Sequence, residues 1–293
     1  MDWSLVVAFV VGVLQGIFEW LPISSEGNIT IALSALGRSP DDAVAFALFL
    51  HLGTALSATA YYRHELYDVF ELVPEWRPGR AFEGEQALVT FLAVGTIISG
   101  VVGLAAYATL DAVVSSVSGG ALVVLVGVLL VATGLFQRFS GSVEGETQAQ
   151  PRGVDAVLVG ALQGLAILPG VSRSGVTAGA LLLRGYDGPT SFRLSFLLSI
   201  PAAVGGGLLA FADTGLGDVT LLGAAVALGA AATVGYATID ALMRLVERVS
   251  FWGVCLVLGS LAIVGGIAVD PTGFLNAVES TVGVFASRGF VPS

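Results

Sequence analysis

The chain has 293 residues, 55% hydrophobic and 12% charged, with a mean hydropathy of +0.90, and several apolar runs approach the ~20 residues that cross a bilayer. All twelve basic residues are arginine, against 22 acidic ones, for a net charge of −10; this argues against nucleic acid as a partner and suits a source in which high salt screens charge repulsion. Two histidines and a single cysteine leave no basis for a structural zinc site or an intrachain disulfide.

In chain order, the opening MDWSLVVAFVVGVLQG is apolar but has neither a basic leader nor a small-residue cleavage site, so it is expected to stay in the mature protein. The run breaks at FEWLPISSEGN, residues 18–28, and a helix restarted after the break is expected to stop at Gly37. An apolar span containing His51 follows, then a segment at 62–87 with Arg63, Arg77 and Arg80. Two spans, about 88–108 and 118–137, are joined by a turn containing Asp111, and a polar linker at about 138–153 carries Arg138 and Arg152. LPGVSRSGVT at 168–177 breaks the next apolar run, with Gly185 as the expected helix stop. An acidic loop at 212–218, Arg244 and Arg248, and an apolar segment around Cys255, read as a small packing residue, precede a tail at 271–293.

A shift of 148 residues lays VGVLQG (11–16) over VGALQG (159–164), Ser24 over Ser172, Gly27 over Gly175 and Gly37 over Gly185. The chain is therefore a duplication, read as one membrane domain with repeats at about 1–137 and 154–270. Broken backbone is tolerated at membrane depth only where protein or a wet cavity covers it. Each broken segment is accordingly expected to enter the membrane, turn near its middle and leave on the side it came from. Arginine placement puts 62–87, the linker and Arg244 with Arg248 in the cytoplasm, so the first unit opens outside and the second inside. The expected fold is an all-α, multi-pass cell-membrane protein with inverted repeats whose two re-entrant segments meet near the midplane.

Arg173 is the strongest functional clue, because an arginine at membrane depth is costly and marks a site or a buried partner. Its planar fork suits a phosphate or carboxylate. Ser172, Ser174 and Thr177, with backbone N–H groups at a helix start, add donors around the same anion. The structural alternative is an Arg173–Glu19 ion pair locking the repeats together. Acids beside an anion site imply a divalent metal, proton exchange, or both; Glu19, one helical turn from Gln15, is the better candidate, and Glu26 reads equally as a helix cap. Ser24 is a cap or a phosphate donor. Ser25 aligns with Arg173 across the repeats and is thereby placed near a phosphate held there. Gln163 reads as a helix-to-helix hydrogen bonder, and His51 as a packed residue unless it faces the same cavity.

These residues resemble the bacitracin-resistance family of undecaprenyl-diphosphatases, membrane enzymes that remove the terminal phosphate of a polyprenyl diphosphate and so recycle a lipid carrier. QGIFEWLPISSEGN is similar to the family's first motif, PGVSRSGVT matches its second, and the resemblance covers nearly the whole chain. It implies Glu19, Ser25 and Arg173 as catalytic residues, with Ser25 as nucleophile, and Ser172, Ser174 and Thr177 around the phosphate, where Ser24 and Asn28 are also read as donors. It further implies divalent-cation dependence and a site facing the outer side; the cation, Mg²⁺ or Ca²⁺, is expected on Glu19. The expected partners are the lipid and the membrane, and a homodimer is left open. Asn28 stands where the family usually has histidine and cannot take a proton near neutral pH, so either Glu19, Glu26 or a cavity-facing His51 carries proton transfer, or the chain binds the lipid and hydrolyses it poorly. The rival reading is a transporter of polyprenyl phosphate, or of another anion, using the same site.

Overall fold

A computed structural model describes residues 5–114, 117–141, 148, 150–246 and 248–272, and among these every regular element is helical. Twelve α-helices run in order: α1 (Leu5–Phe18), α2 (Ser25–Ala35), α3 (Pro40–Phe49), α4 (His51–Tyr61), α5 (Arg63–Leu72), α6 (Gln86–Val114), α7 (Gly119–Ser140), α8 (Gly153–Leu165), α9 (Arg173–Leu183), α10 (Gly188–Thr214), α11 (Leu221–Val246) and α12 (Trp252–Val269). Among the described residues six stretches are long and apolar enough to cross a membrane: Pro40–Tyr61, Gln86–Leu110, Gly119–Ser140, Gly188–Thr214, Leu221–Val246 and Trp252–Val269. The protein is thus an all-α, multi-pass membrane protein. Asp111 lies inside the last turn of α6 rather than in the turn that follows, because the apolar helix continues past it. The tail from residue 273, and linker residues 142–147 and 149, lie outside the described residues.

The broken segments form two hairpins of short helices. At 14 and 11 residues, α1 and α2 extend only about 21 and 16 Å, short of a full crossing. Pro22 and the loop after Phe18 end α1; α2 begins at the N-cap Ser24 and stops before Gly37, whose positive φ of 83° closes the helix end. Its counterpart α9 starts at the N-cap Ser172 and ends before Gly185, φ 91°.

Each hairpin begins and ends at one place. In the second, Asp155 in the first turn of α8 accepts from Arg184 Nε (2.6 Å) at the end of α9, from Tyr186 Oη (2.6 Å) and from the Arg152 amide (2.9 Å). Burial and the hydrogen bond to Asp155 push the Tyr186 hydroxyl up from its ordinary range. In the first, Ala8 and Leu33 share an apolar cluster with Val219. The mouths lie at opposite ends of α10. Asp187 caps its start beside Tyr186, whereas past its end Asp218 pairs with Arg38 (3.2 Å), just after α2. With 27 residues, α10 separates the two mouths by about 40 Å.

Packing follows the duplication. Gly12 and Gly16 of α1 press on Ala227, Ala231 and Gly235 of α11, while their repeat counterparts Gly160 and Gly164 of α8 press on Gly95, Ser99 and Gly103 of α6. Small residues let helix backbones approach closely where lipid gives no hydrophobic drive. Each hairpin therefore packs on a long helix of the other repeat, and α7 packs on α12, with Gly127 against Gly259.

Candidate active site

The two hairpin tips meet. Ser24 holds a left-handed conformation, φ 59°, and its Oγ accepts both from the Gly27 amide (3.2 Å), capping α2, and from the Gly170 amide (3.1 Å) of the other tip. A Cβ on Gly27 would lie 2.7 Å from the Gly170 nitrogen, so only glycine allows this approach. Helix α7 holds both tips: Gln137 Nε2 donates to the Pro22 carbonyl (2.6 Å) and Thr133 Oγ1 to the Gly170 carbonyl (3.2 Å). Neither residue was singled out in the sequence, where the one signal was a glutamine near the end of an apolar helix. The cap of α2 is Ser24, with Glu26 two residues on, inside the first turn.

At the junction Glu19 is buried and receives four side-chain groups. Its Oε1 is paired with Arg173 Nη2. Its Oε2 accepts from Gln15 Nε2 (2.9 Å) and Ser25 Oγ (2.8 Å) and lies 3.3 Å from His51 Nε2. The structure thus gathers Gln15 of α1, Glu19 of the turn after it, Ser25 of α2, His51 of α4 and Arg173 of α9. The His51 ring nitrogen Nδ1 sits 3.1 and 3.2 Å from the carbonyls of Ala47 and Leu48. Both are acceptors, so Nδ1 is the ring nitrogen placed to donate, and Nε2 is the one turned to Glu19.

The ion pair between Arg173 and Glu19 exists, yet it does not exhaust the arginine. Nη1 is buried without a protein partner, and the guanidinium lies over the Phe196 ring at 5.8 Å. Phe196 in turn meets Trp20 edge-on. A polar cleft of about 20 Å³, lined by Glu19, Ser24, Ser25, Ser172, Arg173 and Ser174 among others, lies here. Glu26, His51 and Arg173 also line a second cavity, of about 480 Å³, between α6 and α10. The larger space is an apolar groove whose rim residues Gly100, Leu104, Pro201 and Gly205 are exposed.

The remaining sequence candidates hydrogen-bond to backbone or neighbouring side chains, and of these Ser172 and Ser174 also line the cleft. Asn28 donates to the carbonyls of Ile23 (2.7 Å) and Ser24 (2.9 Å), bracing the first tip. Thr177 donates to the Arg173 carbonyl and shares a 2.6 Å hydrogen bond with Ser195. Ser172 caps α9 and Ser174 donates to the Leu21 carbonyl (3.4 Å). Gln163 links helices through Ser99 and the Leu198 carbonyl. Among the described residues no group of three or more His, Cys, Asp or Glu side chains forms a ready metal cage.

Comparison with known proteins gives the family. Residues 8–264 match the model of the bacitracin resistance protein BacA. The chain is 51% identical to an undecaprenyl-diphosphatase of Haloarcula marismortui over 90% of this chain and 98% of that protein. It is 35% identical to one of Methanococcoides burtonii (89% and 97% covered) and 37% identical to one of Methanopyrus kandleri (91% and 96%). The haloarchaeal relative is in keeping with the acidic, lysine-free composition. With hairpin tips joined around a buried arginine and a family match across most of its length, the chain belongs to the bacitracin resistance protein BacA family.

Proposed function

We propose that this protein removes the terminal phosphate from a polyprenyl diphosphate, giving the monophosphate and inorganic phosphate. The observation that carries the reading is the divided guanidinium of Arg173: Nη2 is held by Glu19 and Nη1 is buried without a partner, in a residue that lines both the polar cleft and the apolar groove. A buried donor without a partner costs about 1–3 kcal/mol, and an arginine fork matches phosphate oxygens. The groove suits a prenyl chain lying between α6 and α10 with its headgroup against Arg173.

Ser25 is assigned as the attacking group. Its proton passes to Glu19, to which the hydroxyl already donates, as the Oγ–P bond forms and the bond to the bridging oxygen breaks. Water then hydrolyses the phosphoserine and releases phosphate. Arg173 gathers the developing charge, so positioning and electrostatics supply most of the rate. A divalent cation, Mg²⁺ or Ca²⁺, fits the acids present, since Glu26 Oε1 is buried without a partner at the same junction. When bound it would neutralise phosphate charge.

Of the eleven arginines among the described residues, nine belong to the segments at the end where the second hairpin opens, with Arg38 at the other end and Arg173 between. The positive-inside rule makes the arginine-rich end cytoplasmic. Each hairpin then re-enters the side it left, the tips meet at depth, and the groove serves the outer half. One observation favours the transporter reading: a cavity of about 290 Å³, bordered by Pro22, Gln137, Gly175 and Arg248, approaches the tips from the arginine-rich side.

The test is phosphate release from a C55-type polyprenyl diphosphate by detergent-purified protein in high salt, with Mg²⁺ or Ca²⁺ and with EDTA. Release that requires the cation and is lost in Arg173→Ala and Glu19→Gln upholds the phosphatase. Turnover of Arg173→Ala within a few-fold of wild type sinks the scheme, and leaflet exchange of the lipid without release selects the transporter.

A further inference from the structure

Glu26 differs from Glu19 in what compensates it. Arg173, Gln15, Ser25 and His51 already surround both oxygens of Glu19, so a cation there would displace existing partners. Glu26 is only 4% exposed, and its Oε1 has no hydrogen-bond partner. It sits in the first turn of α2, where the helix dipole offsets a fraction of its charge. It lines both the polar cleft and the apolar groove, as do His51 and Arg173.

A buried carboxylate left alone is expensive. Here it also borders the space assigned above to a diphosphate, so two like charges would face each other across the junction. Arg173, already shared with Glu19, balances one of them at most. Protonating Glu26 would relieve the carboxylate and leave the diphosphate uncompensated, whereas one divalent cation between them relieves both. Mg²⁺ commonly sits on one or two carboxylates completed by substrate phosphates and water, without an all-protein cage. That pattern agrees with the lack of a metal cage among the described residues.

We infer that Glu26 is the protein's anchor for a divalent cation, bridging its free oxygen to the substrate diphosphate where the cleft meets the groove. The inference rests on the phosphatase reading for the identity of the anion, and on Glu26 itself for the site. Cation binding is weak by itself and tightens when a diphosphate is present, and the coupling is reciprocal.

The test measures binding directly, by calorimetry and by the cation-induced rise in thermal midpoint of the detergent-purified full chain. Mg²⁺ and Ca²⁺ are used alone and with methylenediphosphonate, a diphosphate that cannot be hydrolysed. Wild type should bind the cation, and the diphosphonate should tighten it by about 5- to 150-fold, the usual range of coupling between sites. Glu26→Gln, of the same shape, should lose the cation response while keeping its midpoint in EDTA; Glu26→Asp should restore part of it, and Glu19→Gln should retain it. Unchanged cation binding in Glu26→Gln, or loss in Glu19→Gln alone, overturns the inference. Cation binding that depends on Glu26 in a protein that releases no phosphate upholds the site and discards the phosphatase. Release that is indifferent to Glu26→Gln discards the site and leaves the phosphatase standing.

Discussion

Arg173 has one nitrogen committed and one spare, with Nη2 paired with Glu19 and Nη1 buried without a partner. A lysine has one ammonium, which can meet the carboxylate or the phosphate but not both in a fixed plane. Arg173→Lys is therefore expected to fold, with a thermal midpoint near wild type, and to lower kcat/KM about 10- to 100-fold, or roughly 1.4–2.8 kcal/mol of transition-state stabilisation. Kinetics and thermal unfolding on the same preparation check both halves. Charges in apolar runs were legible in the sequence because their burial is so costly that they need a reason. Asn28 and Thr177 were less so: an amide or hydroxyl in a motif does not reveal whether it turns to a ligand or to a nearby carbonyl, and here both hydrogen-bond within the fold.

Among the elements, the hairpin tips depend on a glycine pair. Adding a methyl group at Gly27 would set it 2.7 Å from the Gly170 nitrogen and 2.9 Å from its Cα, both backbone atoms that cannot swing aside. Gly27→Ala should part the tips, weaken the bond from Gly170 to Ser24, and destabilise the fold by about 1–3 kcal/mol. Chemical denaturation would read this as a lower midpoint, with activity falling further than stability because Ser25 moves with the tip. Pro22, Gly37 and Gly185 announced the breaks and stops of the short helices. The break between α3 and α4 gave no such sign. FALFLHLGT contains no proline, and its only glycine follows the break at Leu50, where the His51 ring takes the carbonyls of Ala47 and Leu48.

Across the whole molecule, the two ends of α10 carry different charge, which makes the orientation testable with the chain's own cysteine as a silent background. Cys255 is fully buried. Asp218 (side chain 83% exposed) and Glu83 (70% exposed) mark opposite ends. In intact cells a membrane-impermeant maleimide should label Asp218→Cys and leave Glu83→Cys unlabelled until the membrane is permeabilised; the reverse pattern would invert the assigned topology. The sequence alone determined the membrane class, the duplication, the two breaks and the residue types at the site. These follow from composition, from spacing and from the cost of putting polar groups in lipid, all of which are properties of the chain read locally. Tertiary structure alone decided that each hairpin packs on the other repeat, that α7 clamps both tips, that His51 reaches Glu19, and that Glu26 keeps a free oxygen. Those outcomes depend on which distant side chains arrive at the same point, and only the packing of the two repeats against each other settles that.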